Sequence, residues 1–162
     1  MQKITPCLWF DKNGEEAMEF YASVFKDAKI NKGSRYTKET AENMGMPEGS
    51  LLAATFELAG QKFMALNGGP MFKFTEAISL MIDCQTQEDV DHYWNALTAD
   101  GGEESMCGWL KDKFGLSWQV TPAVMSDLMS SGTPEQSSRV MAAMMKMKKI
   151  IIKDLQDAFD GK

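Results

Sequence analysis

The 162-residue chain has few side chains that bind metals or act as nucleophiles, and these are widely spaced. Its only histidine is His92, and its three cysteines are Cys7, Cys84 and Cys107. Because zinc-type sites gather several imidazole or thiolate ligands, one histidine excludes a multi-histidine metal site within one subunit. An odd number of cysteines at wide spacing, without a C-x-x-C pair, does not indicate a disulfide framework either.

The sequence around these residues favours ordinary roles for them. His92 lies off the apolar stripe of a predicted helix, so we expect it to be solvated. The stripe consists of Val90, Tyr93, Trp94 and Leu97. Cys107 has no histidine or cationic neighbour in sequence to favour its thiolate, which favours an inert thiol over a reactive one.

Composition and charge exclude several classes of partner. Hydrophobic residues make up 44% of the chain and charged residues 25%, which predicts one folded domain. The net charge of -6 disfavours nucleic acid and anionic membranes as partners. The sequence has neither a membrane-spanning run nor an apolar leader at its start, so a cytoplasmic location is expected.

The chain is predicted to begin with a strand and a helix, followed by three extended segments. The helix is expected to start at Asn13, because Asn13-x-x-Glu16 matches a capping box. Gly45, Pro47 and Gly49 mark residues 38–49 as a mobile loop. The predicted strands lie at residues 3–10, 28–37, 50–59 and 61–67, with a tight turn at Ala59-Gly60-Gln61.

The same order then repeats. Thr86-x-x-Asp89 is a second capping box, and its helix is expected to stop at Gly101-Gly102. The predicted strands lie at residues 76–84, 103–107, 109–113 and 116–121. Phe20-Tyr21 follows Asn13 at the spacing by which Tyr93-Trp94 follows Thr86, which favours an internal duplication over two unrelated amphipathic helices.

These patterns predict an α+β fold made of two βαβββ modules that form a cupped mixed sheet. The modules are expected at residues 1–70 and 71–122, followed by a helical extension at 123–162 that packs on the domain or in a dimer. In the extension, Pro122 ends the last strand, and helices are expected at 123–131, from Thr133-Pro134-x-Gln136 onward, and around Ile151 to Phe159. An apolar, methionine-rich face at 140–147 indicates core or a homodimer interface.

The chain resembles the PhnB-like branch, often labelled demethylubiquinone methyltransferase-like, of the vicinal oxygen chelate superfamily, which includes glyoxalase, bleomycin-resistance and dioxygenase proteins. The resemblance rests on residues 6–10, 16–21, 47–50, 63–70 and 107–119. It implies the fold expected above. It also implies a metal site in metal-dependent members, with one ligand from each of four strands, usually His or Glu. The matching positions here are Pro6, Ala65 or Asn67, Ala77 or Ser79, and Gln119, which lack imidazole and carboxylate groups, so no metal and no other cofactor is expected.

Alternation from these positions predicts which residues line a pocket. The expected lining is Pro6, Leu8, Phe10, Asn67, Ala77, Ser79, Trp109 and Gln119. Ala65, Ser117, Lys111 and Arg35 are further candidates, and Cys7, Trp9, Ile78, Leu80, Ile82 and Trp118 are expected to face the helices as core. Such a neutral lining suits a compact, partly aromatic ligand.

Three functions remain open from the sequence. The favoured one is a metal-free small-molecule-binding protein whose ligand is unknown. The alternatives are a non-metal enzyme of the superfamily, acting by acid–base chemistry or through Cys107, and an interaction protein that docks through its tail. Methyl transfer lacks support, because no glycine-rich loop joins a strand to a helix in the manner of a nucleotide-like cofactor site.

Overall fold

A computed structural model describes residues 2–162, and the chain divides into two compact units after Phe74. Both units have the expected α+β composition, and each contains one open sheet. None of the helices within residues 2–162 has the length and apolar character needed to cross a membrane.

Unit one holds the first predicted module. Its elements are β1 (Cys7–Phe10), α1 (Gly14–Val24), β2 (Lys29–Ile30), β3 (Ser34–Arg35), α2 (Lys38–Met44), β4 (Leu51–Leu58) and β5 (Gln61–Asn67). The sheet order is β1-β5-β4-β2, with β3 also pairing with β4. The first and last strands, β1 and β5, run parallel, whereas β4 pairs antiparallel with β5 through a turn at Ala59 and Gly60, both of which have positive φ.

The residues of unit one that face α1 differ from those expected. Phe10 and Leu8 are buried, and a Cβ on Gly14 in α1 would lie 3.2 Å from the Phe10 ring, so these two side chains point towards the helix. Cys7 is exposed and Trp9 is only partly buried. The prediction that Leu8 and Phe10 line a pocket while Cys7 and Trp9 form core therefore has the alternation of β1 wrong by one residue.

The start of α1 is capped by a distant residue rather than by Asn13. The Asn13 side chain makes no capping hydrogen bond. Instead, Asn67 Oδ1 at the end of β5 accepts from Gly14 N at 2.8 Å. A Cβ on Gly14 would come within 2.7 Å of that oxygen, so glycine is needed for the close approach.

A second correction concerns residues 38–49, which were expected to be a loop. Residues Lys38–Met44 form α2, because Thr37 and Thr40 make a reciprocal capping box. The helix ends at Gly45, which has φ 65. Tyr36, which precedes the N-cap of α2, is buried, and its hydroxyl donates to Asn67 O at 2.6 Å.

Unit two repeats the strand–helix–three-strand order, which confirms the repeat predicted from the sequence. Its elements are β6 (Ser79–Cys84), α3 (Gln87–Thr98), β7 (Glu103–Glu104), β8 (Trp109–Lys111), β9 (Ser117–Pro122), α4 (Val124–Ser131), α5 (Pro134–Met144) and α6 (Ile152–Asp160). The sheet order is β6-β9-β8-β7, again with the first and last strands parallel. The capping boxes predicted at Thr86 and Thr133 are both present.

The three C-terminal helices pack on each other and on the second module. Val140, Ile150 and Leu155 form a buried cluster, against which several methionines pack, Met144 and Met147 among them. Gln87 in α3 holds the segment between α5 and α6, donating to Ile150 O at 3.2 Å and accepting from Ile152 N at 2.8 Å. Much of the methionine face is therefore core within unit two.

We predict that Asn67→Ala lowers the free energy of unfolding by about 3 kcal/mol. The Asn67 amide is 1% exposed, and it also donates to Lys12 O and Leu51 O, so its removal leaves buried backbone groups without partners. Urea denaturation measures the effect. Asn95→Ala, on the exposed face of α3, is the matched control and should change stability little. A loss below about 1 kcal/mol for Asn67→Ala would contradict this capping role.

Candidate functional site

Only one face of the sheet in unit two is covered by α3. Val90, Trp94 and Leu97 of the helix are buried, as are Leu110, Trp118 and Val120 on β8 and β9. Residues paired across neighbouring strands share a face, so the strand register identifies the residues on the opposite face. Ser79, Ser117, Lys111 and Glu103 form one row there, and Met81, Gln119 and Trp109 form the next.

This second face, which we call the front face, carries a cleft of about 330 Å³. The cleft is lined by Glu76, Glu103, Glu104, Ser105, Trp109, Leu110, Lys111 and Ser117. Its volume lies at the lower end of the range for small-molecule sites. Trp109 supplies its aromatic surface and is partly exposed.

Two polar groups in the cleft have no partner within residues 2–162. The Ser117 side chain is almost fully buried, with 1% of the residue exposed, yet its Oγ makes no hydrogen bond. The indole N–H groups of Trp9, Trp94 and Trp118 donate to Gly69 O, Glu104 and Asp112, respectively. The Trp109 indole has no such acceptor among the described residues, so the wall of the cleft holds a hydroxyl and an N–H donor that both lack a protein partner.

Beside the cleft, a polar pair bridges β6 and β9. Gln119 Nε2 donates to Ser79 Oγ at 2.8 Å. The bond orients the Gln119 amide and leaves its oxygen available as an acceptor. Ser79 and Gln119, both expected to line a pocket, therefore lie together on the front face with Trp109.

The charged wall of the cleft is an ion pair. Lys111 Nζ lies 2.6 Å from Glu76 Oε1 and 3.9 Å from Glu103 Oε2. The hydrogen bond with Glu76 raises the pKa of Lys111, and the same bond lowers the pKa of Glu76. Lys111 thus remains an ammonium group at neutral pH, which suits it to fixing a carboxylate rather than to acting as a nucleophile.

The position of Trp109 depends on the turn before it, which the C-terminal segment holds. Cys107 and Gly108 have φ of 60 and 80, and Trp109 N donates to Met106 O. Two backbone hydrogen bonds to the segment after α5 hold this turn: Cys107 N donates to Met147 O at 2.7 Å, and Gly108 N donates to Lys148 O at 2.8 Å. The segment after α5 therefore positions the aromatic wall of the cleft.

The remaining expected site residues lie elsewhere. Pro6 is exposed and precedes β1, and Ala77 is exposed and precedes β6. Leu8, Phe10 and Asn67 belong to the helix-facing side of unit one, as described above. Arg35 is exposed and pairs with Glu15 at 2.6 Å, an interaction that raises the pKa of Arg35. Ile78, expected as core, is also exposed.

The sequence analysis did not identify the acidic residues of the cleft. Glu103 lies opposite Lys111 in the β7–β8 pair, and this charge pairing across a predicted hairpin was the available signal. Glu76 has no comparable signal, because it contacts Lys111 from a turn before β6. No periodicity links such a turn residue to the strand it meets.

Two strand pairs on the faces away from the helices carry donor atoms that do not suit a hard or borderline divalent metal. In unit one the register pairs Cys7 with Met64, and in unit two it pairs Met81 with Gln119. Neither pair offers an imidazole or a carboxylate. Within residues 2–162, no group of three or more His, Cys, Asp or Glu residues is arranged to hold a metal.

Two cysteines have a raised thiol pKa. Burial raises the pKa of Cys84 to about 12, and the nearby Asp89 and Asp83 add to the rise. Burial also raises the pKa of Cys7, which remains partly accessible. Cys107 is half-buried, and its sulfur has no hydrogen-bonding or ionic partner among the described residues.

Comparison with known proteins identifies similar sequences and folds. The model of the 3-demethylubiquinone-9 3-methyltransferase family matches residues 2–121. A PhnB protein from Bacillus cereus with the same family description is 40% identical over 75% of this chain and 100% of its own, with a TM-score of 0.67. No curated protein matches the chain.

More distant structures share the fold alone. A protein from Pseudomonas aeruginosa is 20% identical over 75% of this chain and 98% of its own, with a TM-score of 0.61. The fosfomycin resistance protein FosX from Listeria monocytogenes is 15% identical over 78% of this chain and 94% of its own, with a TM-score of 0.52.

We predict that the turn before Trp109 responds to backbone conformation rather than to the Cys107 thiol. Cys107→Gly should raise the free energy of unfolding by about 1 kcal/mol, because glycine adopts positive φ at little cost. Cys107→Val should lower it by about 1–2 kcal/mol, since a β-branched residue is strained there. Cys107→Ala controls for loss of the sulfur. Urea denaturation measures the stability of the three variants, and a valine variant as stable as the glycine variant would contradict the prediction.

Proposed function

The chain belongs to the 3-demethylubiquinone-9 3-methyltransferase family, in the PhnB-like branch of the vicinal oxygen chelate superfamily, and we propose that it is a metal-free small-molecule-binding protein. The proposed site is the cleft on the front face of unit two. The cytoplasmic location expected from the sequence belongs to the same proposal.

The unpaired Ser117 hydroxyl is the observation that carries this proposal. A buried hydroxyl without a partner costs about 1–3 kcal/mol, a cost that folding alone does not recover. A bound molecule that bonds Ser117 Oγ removes this cost. Native proteins leave few such groups unsatisfied, and an orphaned group at the wall of a cleft is consistent with a binding role.

The other residues of the front face support a compact, partly aromatic ligand. Trp109 gives a flat surface for stacking, and its indole N–H is a free donor at the same wall. Gln119 offers an amide oxygen in a fixed orientation, because its nitrogen is held by Ser79. A few fixed polar groups around an apolar surface are typical of small-molecule sites.

The proposal excludes both metal chemistry and methyl transfer. The positions that match the family's metal ligands are Pro6, Ala65 or Asn67, Ala77 or Ser79, and Gln119, and none of them offers an imidazole or a carboxylate. Within the described residues, the strand–helix connections are Asp11-Lys12-Asn13, Tyr36-Thr37, Gln85-Thr86 and Ala123, and none of them contains glycine. The methyltransferase in the family description is therefore treated as a name rather than as an activity of this chain.

We predict that Ser117→Ala stabilises the ligand-free protein and weakens binding. Removing an unpaired buried hydroxyl should raise the free energy of unfolding by about 1 kcal/mol. Compact aromatic compounds that protect the unmodified protein in a thermal-shift screen should protect the variant less.

Ser138→Ala, at an exposed position of α5, is the matched control and should change neither quantity. A destabilised Ser117→Ala protein would mean that the hydroxyl is already satisfied in the free state. Compounds that protect both proteins equally would place their binding elsewhere.

We also predict a homodimer. Two methionines of the face at residues 140–147 remain exposed. Met141 on α5 is 39% exposed, and Met145 in the turn after α5 is 63% exposed. A second copy of the chain would cover this apolar surface. Sedimentation at micromolar concentration should give a dimer that Met145→Glu converts to a monomer, and a monomeric unmodified protein would contradict the prediction.

A further inference from the structure

The charges around the cleft point to the ionic character of its ligand. Glu76 and Glu103 are well exposed, with 60% and 74% of their side chains accessible, and they flank the single ammonium group of Lys111. Glu104 is turned away, accepting from Trp94 Nε1 at 3.0 Å and lying 3.5 Å from Lys148. Two carboxylates beside one ammonium leave an unbalanced negative charge at the mouth of the cleft.

The front face also has more unused hydrogen-bond acceptors than donors. Lys111 is occupied by Glu76, and Gln119 Nε2 is occupied by Ser79. The groups left over are mainly acceptors: Ser117 Oγ, the Gln119 oxygen and the carboxylate of Glu103, which lies 3.9 Å from Lys111 and is 74% accessible. Trp109 adds an indole face, which attracts cations, and one N–H donor.

From this juxtaposition we propose that the ligand is a compact planar organic cation that carries N–H donors, of the amidinium or guanidinium class. This inference rests on the proposed binding function of the cleft. The cation stacks on Trp109, donates to Ser117 Oγ at the wall and pairs with Glu103 at the mouth. Acidic side chains on a protein surface are common, and the buried, unpaired Ser117 hydroxyl distinguishes this group from an ordinary solvated cluster.

An anionic ligand fits the same residues less well. Its only cationic partner in the cleft would be Lys111, which is already held by Glu76 at 2.6 Å. The anion would have to displace that carboxylate while lying close to Glu103. Like charges at this separation repel, so an anion of the same shape gains less from the site than a neutral molecule does.

Three probes of nearly identical size and shape separate charge from shape: benzamidinium, benzamide and benzoate. Each is titrated into the full-length protein at millimolar concentration, where fragments of this size bind measurably. The readout is the ¹H–¹⁵N resonance of the Trp109 indole. We expect benzamidinium to bind about tenfold more tightly than benzoate, with benzamide between them, and the difference to shrink at high salt.

Variants assign the preference to the named residues. Glu103→Gln should reduce the preference for benzamidinium over benzamide about threefold, because the substitution removes the charge and keeps the shape of the side chain. Glu88→Gln, at an exposed position of α3, removes the same charge away from the cleft and should leave the preference intact. Ser117→Ala should weaken binding of both benzamidinium and benzamide.

The outcomes distinguish the two levels of the proposal. If benzoate binds as tightly as benzamidinium, or if benzamide matches it, the cationic class is wrong and the binding function stands. The same holds if benzamidinium binds without perturbing Trp109 while benzamide perturbs it. If none of the three probes perturbs Trp109, the proposed binding function of the cleft is itself wrong.

Discussion

The parallel pairing of the first and last strands in each unit determines which side chains face the helix. The last paired residues are Phe10 with Asn67 in unit one and Cys84 with Pro122 in unit two. In both units the residue after the last pair makes the same hydrogen bond to the first strand. Gly68 N donates to Phe10 O at 2.9 Å in unit one, and Ala123 N donates to Cys84 O at 2.8 Å in unit two. Because side chains alternate along a strand, these bonds also fix the composition of the opposite face.

This constraint explains why the strand faces assigned from the sequence agree with the structure in unit two and differ from it in unit one. The matched caps and aromatic pairs identified the duplication, and Tyr21 and Trp94 do occupy equivalent buried positions on their helices. The strands follow a different offset, since unit one has one more residue between its last strand pair and its helix cap. A shift of one residue exchanges the faces of a strand, so Ser79 and Gln119 lie on the face away from the helix, whereas Leu8, Phe10 and Asn67 lie on the helix side.

Local capping signals were reliable where nothing distant competed with them. Thr86 and Thr133 cap their helices as the sequence predicts, whereas the role expected of Asn13 is taken by Asn67, which is close only because β5 lies beside β1. The missed helix α2 is the opposite case. Its capping pair, Thr37 and Thr40, was present in the sequence, but the glycines and proline that follow it favoured a loop.

The cleft in unit two depends on relationships that no pattern in the sequence expresses. Trp109 is positioned by carbonyl groups about forty residues later in the chain, and Lys111 is fixed by a turn residue before β6. The unpaired state of Ser117 is likewise a property of the assembled sheet, because the sequence does not show whether a neighbouring group accepts a hydrogen bond from its hydroxyl. A hydroxyl buried without a partner costs free energy that an exposed or hydrogen-bonded hydroxyl does not, and under the proposed function a bound molecule removes that cost.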